Sequence, residues 1–178
     1  YWDNKDFPGY QGYYYDGRWV ESAKKIIKYY NLNKNSKVLD VGCGKGFLLS
    51  DIFEITKCDV YGVDKSNYAI ENSSEIIRKK LLNVDSKQLP FNDNEFDLVI
   101  SLSMLYALEY DDLVSSLKEI ERVGKKKFIT VVSYNTNEEK NNLINLDATR
   151  KTVKSIDEWK LLFKEVNYTG DYWWTIYL

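Results

Sequence analysis

A chain of 178 residues, 44% hydrophobic and 29% charged, is long enough to bury one core without disulfide or metal staples, and its make-up is that of a globular domain. Its 25 Lys and Arg against 27 Asp and Glu leave a net charge of −2, which argues against a non-specific nucleic-acid binder needing a basic face. It has no histidine, so the usual general base near neutral pH is absent, and Ser-His-Asp, Cys-His and His-ligated metal mechanisms are excluded.

In chain order, Trp19, Val20, Ala23, Ile26, Ile27 and Tyr30 fall at helical spacing and predict an amphipathic helix. Lys37 to Val41 is a short apolar strand entering a glycine cluster, and Phe47 to Lys57 resumes helical spacing. Asp59 to Val63 reads as a strand, and Asn67 to Lys79 as a helix capped by Asn67. Leu81 to Asp85 is a weak strand and Phe96 to Ser101 a buried one. Asp111 to Val123 is a helix stopped by Gly124, and Lys126 to Ser133 a β-branched strand. Asn135 to Lys154 is polar and irregular. Ser155 and Glu158 form a capping box for a further helix, and Tyr168 to Leu178 reads as a terminal hairpin.

This alternation predicts an α/β fold, a Rossmann-like doubly wound sheet, mostly parallel, of seven strands with an antiparallel C-terminal hairpin. Ligands then bind beyond the carboxyl ends of the strands at the switch point. The longest apolar stretch, Leu98 to Leu108, is too short to cross a bilayer, and no signal peptide is read. Cys43 and Cys58 match no metal or disulfide spacing, so a reducing, cytoplasmic setting is expected. The chain begins at Tyr1, which leaves residues upstream an open question.

The strongest signal is Val38-Leu39-Asp40-Val41-Gly42-Cys43-Gly44-Lys45-Gly46, a strand running into alternate glycines and then a helix. Such glycines let the backbone turn sharply and expose main-chain N–H groups to a ligand. Dinucleotide enzymes place the third glycine three residues after the second, whereas Gly46 follows Gly44 by two. A carboxylate just ahead of the turn, Asp40, suits an ammonium group better than a diphosphate. Both features favour an amino-acid-bearing nucleoside over NAD.

On these residues the chain resembles a class I S-adenosylmethionine-dependent methyltransferase, with Asp40 to Gly46 similar to the family's D-x-G-x-G-x-G motif. The resemblance runs from about Trp19 to Ser133 and extends to one domain over 1–178. That domain divides into an aromatic segment and helix (1–35), a cofactor core (36–134), and an acceptor-side loop, helix and hairpin (135–178). It implies S-adenosyl-L-methionine as cofactor and S-adenosyl-L-homocysteine as product. Gly42 and Gly44 would pack under the methionine and ribose portions, Cys43 and Gly46 completing the turn, and Asp40 would take the amino group. Asp64, followed by Lys65, would accept from the ribose hydroxyls. Asp85 and Ser86, ahead of Leu89-Pro90-Phe91, would meet adenine. Ser101 would offer its carbonyl near the amino group, and Arg18 would bind the carboxylate.

Ser101-Leu102-Ser103-Met104 stands where amino-group methylases carry Asn-Pro-Pro-Tyr, which lowers the prior on nucleic-acid acceptors. Many relatives carry a histidine shortly after this strand; here Tyr106 occupies that neighbourhood and is the catalytic candidate, with core packing as its rival. No metal or membrane partner is expected. The aromatics at both ends, from Tyr10, Tyr13, Tyr14, Tyr15 and Trp19 to Tyr168, Tyr172, Trp173, Trp174 and Tyr177, read as a lid and acceptor pocket or as packing of the ends. The favoured reaction is methylation of a small molecule, at oxygen before nitrogen, such as a sugar or a natural-product or cell-surface precursor. A cofactor-binding but inactive partner of another methyltransferase and a nicotinamide oxidoreductase stay open as rivals. A monomer or homodimer is expected.

Overall fold

The computed structural model describes residue 3, residues 13–146 and residues 150–176. Tyr10, Tyr177 and Leu178 lie outside the described residues. Helix α1 (Val20–Tyr30) leads to β1 (Lys37–Val41), α2 (Phe47–Thr56), β2 (Asp59–Asp64), α3 (Asn67–Glu71) and β3 (Leu81–Asn83). The chain then returns through β4 (Phe96–Leu102), α4 (Tyr110–Val123), β5 (Gly124–Val132), α5 (Asn137–Leu146), α6 (Ile156–Glu165) and β6 (Asp171–Thr175). The strands form one sheet in the order β3-β2-β1-β4-β5-β6.

Among the described residues the sheet has six strands, all parallel, where seven with an antiparallel hairpin were expected. The reason lies in the α6 crossover. A helix between two neighbouring strands returns the chain to its starting end, so β6 pairs with β5 in parallel, Phe128 opposite Asp171 and Val132 opposite Thr175.

Two apolar clusters sandwich the sheet. Leu39, Val99, Ile129 and Val131 pack with Leu117, Ile120 and Trp159 of α4 and α6 on one face. Val38, Val60, Leu98 and Ile100 pack with Ala23, Ile26 and Ile52 of α1 and α2 on the other. Strands covered on both sides read as near-continuous apolar runs, which is why β1 and β4 were legible.

Two elements differ from expectation. The helix expected over 67–79 stops at Glu71 and is capped by the Ser66 hydroxyl, not by Asn67. Asn72 and Ser74 spend their polar groups elsewhere: Asn72 Nδ2 donates to the Tyr68 carbonyl, and Ser74 N to the Lys45 carbonyl. The polar stretch after β5 holds a helix, α5, started by a capping box in which Glu139 N donates to Thr136 Oγ1 and Thr136 N to Glu139 Oε2. Among the described residues no helix is long and apolar enough to cross a membrane.

Candidate functional site

Strand order reverses between β1 and β4, whose neighbours lead away in opposite directions, so their carboxyl ends flank the switch point. The β1–β4 ladder ends at Asp40 opposite Ile100; beyond it the Ser101 hydroxyl donates to the Val41 carbonyl at 2.8 Å. The glycine turn leaves the sheet here. Gly42, Gly44 and Gly46 have φ of 81°, 55° and 71°, the left-handed region that a side chain disfavours. At Gly42 a Cβ would also lie 2.5 Å from Met104 Cγ, so Met104, two residues past the end of β4, closes against this turn.

Asp64, at the end of β2, fixes the turn from the side. Its two carboxylate oxygens accept from Gly44 N at 2.9 Å and Ser66 N at 2.8 Å. Each oxygen keeps a second lone pair for a ligand hydroxyl. Burial raises its pKa despite those amides and Lys65.

Asp40 is the opposite case. It is 5% exposed, and no hydrogen-bond donor reaches its carboxylate among the described residues. Burial first, and then the Asp64 carboxylate, push its pKa up to about 8. A charge this little exposed and with no described donor is costly, and a ligand ammonium is the kind of group that satisfies it. The orphaned carboxylate, the amide-fixed Asp64 and the left-handed glycines together fit an adenosyl amino acid.

The other expected residues are distributed unevenly. The Cys43 thiol turns inward, its Sγ 2.7 Å from where a Gly62 Cβ would stand, and donates to the Gly44 carbonyl at 3.7 Å. Lys65 is exposed beside Asp64. Asp85 is an exposed turn residue accepting from Lys87 N at 3.1 Å, and the Ser86 hydroxyl pairs with Ser116 of α4 at 2.7 Å. Arg18 forks onto Asp16, Nη2 to Oδ2 at 2.7 Å, and so closes its own turn at the start of α1. Tyr106 sits half-buried in a 3-10 turn (Leu105–Ala107), its ring 5.4 Å from the Arg150 guanidinium. Its carbonyl accepts from Lys151 N and Thr152 N.

Sequence reasoning missed Lys45. The ammonium of this glycine-turn lysine is buried and donates to Asp3 at 2.8 Å and to the Tyr13 carbonyl at 2.8 Å, tying the N-terminal segment to the turn. Tyr13 and Tyr15 then pack on Phe47, and the Tyr15 hydroxyl donates to Asp51 at 2.6 Å. A lysine between two motif glycines was the available signal, but its partner lies 42 residues away in sequence. Of the C-terminal aromatics, Trp174 stacks on Phe163, whereas Trp173 is 67% exposed.

A family model described as a methyltransferase domain matches residues 32–171. The chain belongs to the class I S-adenosylmethionine-dependent methyltransferase family. Among curated proteins it is 32% identical over 102 residues to a sterol 24-C-methyltransferase of Candida albicans, covering 53% of this chain and 27% of that protein. It is 30% identical over 131 residues to cycloartenol-C-24-methyltransferase 1 of Oryza sativa, covering 65% of this chain and 38% of that one. The matches thus span between a quarter and two-fifths of these two relatives. The crystal structure of YcgJ from Bacillus subtilis superposes with a TM-score of 0.67 at 21% identity, covering 82% of this chain and 67% of that one, a likeness of fold. Among the described residues no group of three His, Cys, Asp or Glu is placed to hold a metal ion.

Proposed function

We propose that this methyltransferase-family chain transfers a methyl group from S-adenosylmethionine to a small-molecule acceptor, at an oxygen in preference to a nitrogen. The observation carrying the reading is the orphaned Asp40 carboxylate beside the amide-held Asp64, a pair suited to an ammonium and a ribose diol. When bound, the cofactor supplies a methyl group on a positively charged sulfur, so the protein's task is positioning more than activation. Asp40 takes the ligand's ammonium, Asp64 accepts from its ribose hydroxyls, and the Gly42–Gly46 main chain lies under it. Asp85 meets the adenine through its carboxylate and Ser86 through its main-chain N–H, since the Ser86 hydroxyl is committed to Ser116. Arg18 reaches the ligand carboxylate by exchanging its Asp16 partner.

Tyr106 orients the acceptor hydroxyl. It follows Met104, which lies against Gly42, and its carbonyl is pinned by the segment after α5. The absence of an Asn-Pro-Pro-Tyr segment supports oxygen over nitrogen. The sterol methyltransferase relatives act on small molecules by name and support that acceptor class. Two buried free cysteines suit a reducing, cytoplasmic compartment. The test is a methyl-donor-dependent screen of hydroxyl and amine compounds read by mass spectrometry. A one-methyl mass gain on hydroxyl compounds is expected. Gain on amines alone moves the reaction to nitrogen, and cofactor binding without any gain turns the chain into a non-catalytic partner.

A further inference from the structure

We propose that the empty site stores a proton on the Asp40 carboxyl and that the ammonium of an incoming adenosyl amino acid displaces it. Cofactor capture is then an exchange of one cation for another. The inference rests on the cofactor reading above and adds how the same site is regulated.

The argument begins with what surrounds Asp40. In the ladder it lies between Gly62 of β2 and Ile100 of β4, neither of which has a polar side chain. The nearest hydroxyl on β4, Ser101, is given to the Val41 carbonyl. From the end of β2 the facing titratable group is the Asp64 carboxylate, and from the glycine turn it is the Cys43 thiol, itself pushed up by burial and by both aspartates. The turn's own cation, Lys45, points away to Asp3 and the Tyr13 carbonyl. Lys65 is exposed and acts on Asp64. Among the described residues no cation and no N–H is directed at Asp40.

Two carboxylates share this strand end, and only one is equipped to hold a charge. Asp64 has two amides on it; Asp40 has none among the described residues, and it is the more deeply buried. A largely buried carboxylate that no described donor reaches, beside a second carboxylate, holds its proton in preference to a charge near neutral pH. A ligand ammonium reverses this by supplying the missing cation and donors, and the proton leaves to solvent. Charge balances: the pocket exchanges a proton for a fixed ammonium, and no bond other than the O–H is broken.

Selectivity then depends on pH. In the range where Asp40 carries the proton, affinity for S-adenosylhomocysteine rises about tenfold per pH unit, because each capture must release a proton. A nucleoside without the amino acid gains nothing from ionised Asp40, so 5′-methylthioadenosine binds with no such slope. Discrimination between the two widens toward alkaline pH.

Isothermal titration at pH 6.5 in buffers of different ionisation enthalpy reads the proton count. About one proton released per S-adenosylhomocysteine bound, and none with 5′-methylthioadenosine or with the Asp40→Asn variant, is expected. Binding of S-adenosylhomocysteine without release overturns the proposal and leaves the cofactor reading standing, as does undiminished release by Asp40→Asn. Absence of binding by the folded wild-type protein removes both. Infrared difference spectra of the wild type cover the case in which Asp40→Asn does not fold. A protonated-carboxyl stretch that disappears on adding S-adenosylhomocysteine supports the exchange, and its absence from the empty protein overturns it.

Discussion

Around the glycine turn the polar groups that bear on the site sit at the ends of parallel strands. On the proposed acceptor side Tyr106, Arg150 and Thr152 come from a 3-10 turn and the segment after α5. Asp40 and Asp64 are placed by a ladder that pairs Asp40 with Gly62 and Val41 with Val63, so their separation is a property of the sheet. Tyr106 is placed by main-chain bonds from Lys151 and Thr152 and by the Thr152 hydroxyl on the Leu108 carbonyl at 2.7 Å. The first arrangement resists change because moving one residue means shifting a strand. The second can be rebuilt by altering one loop, which is how a shared cofactor core serves different acceptors.

The sharpest way to break this division is through the core beneath the proposed acceptor side. Trp159→Ala removes a fully buried ring whose Nε1 donates to the Val132 carbonyl at 3.1 Å. A loss of about 3–5 kcal/mol is expected in denaturant unfolding. S-adenosylhomocysteine binding by the protein that remains folded should stay close to wild type, and a parallel collapse of affinity would show that the two sides are one unit. Asp64→Ala acts on the other side. Affinity for S-adenosylhomocysteine should fall about 100-fold through two lost charge-assisted bonds, measured by calorimetry with circular dichroism as the folding control. Retained affinity would remove the ribose assignment.

The pH dependence of the empty protein sharpens the contrast further. Asp40 is raised from the usual 3.8 to about 8, so its contribution to stability is complete below the lower value and is lost as pH rises through the upper one. Asp64 is raised too and has the same sign. The paired carboxylates elsewhere, Asp97, Glu119 and Glu158, are lowered and lose their contribution only in acid. Melting temperature should therefore decline between pH 5 and pH 8 in the wild type and stay flatter in Asp40→Asn; identical profiles would argue against a buried neutral acid.

Smaller effects test the periphery. Thr136→Ala removes the cap of α5 and should cost about 1 kcal/mol locally. Hydrogen exchange over 137–146 should quicken while the glycine turn keeps its protection. Arg18→Ala, at an exposed ion pair, should leave the melting temperature unchanged and weaken S-adenosylhomocysteine binding about threefold. No change in affinity would return Arg18 to the role of closing its own turn.

Much of this was legible in the chain because the signals are local. The run Val38 to Gly46 announces a buried strand and a left-handed turn, and Ser155 with Glu158 announces the start of α6, where both reciprocal bonds are present. Thr136 and Glu139 gave the same signal for α5, hidden by the polar residues around them. Asn72 and Ser74 read as helix yet lie past the end of α3, because the Asn72 amide and the Ser74 N–H found backbone partners in Tyr68 and Lys45.

The amino-acid sequence by itself determined the strand-to-glycine turn, the carboxylates at two strand ends and the absence of any imidazole. These follow from residue type and from spacing within a few positions. Only the tertiary structure decided that Asp64 is held by the Gly44 and Ser66 amides while no donor reaches Asp40 among the described residues. It also decided that Lys45 turns away to Asp3, that Arg18 is spent on Asp16, and that β6 runs parallel beside β5. Such facts depend on which distant groups come within hydrogen-bonding reach, and burial then sets what each charge costs.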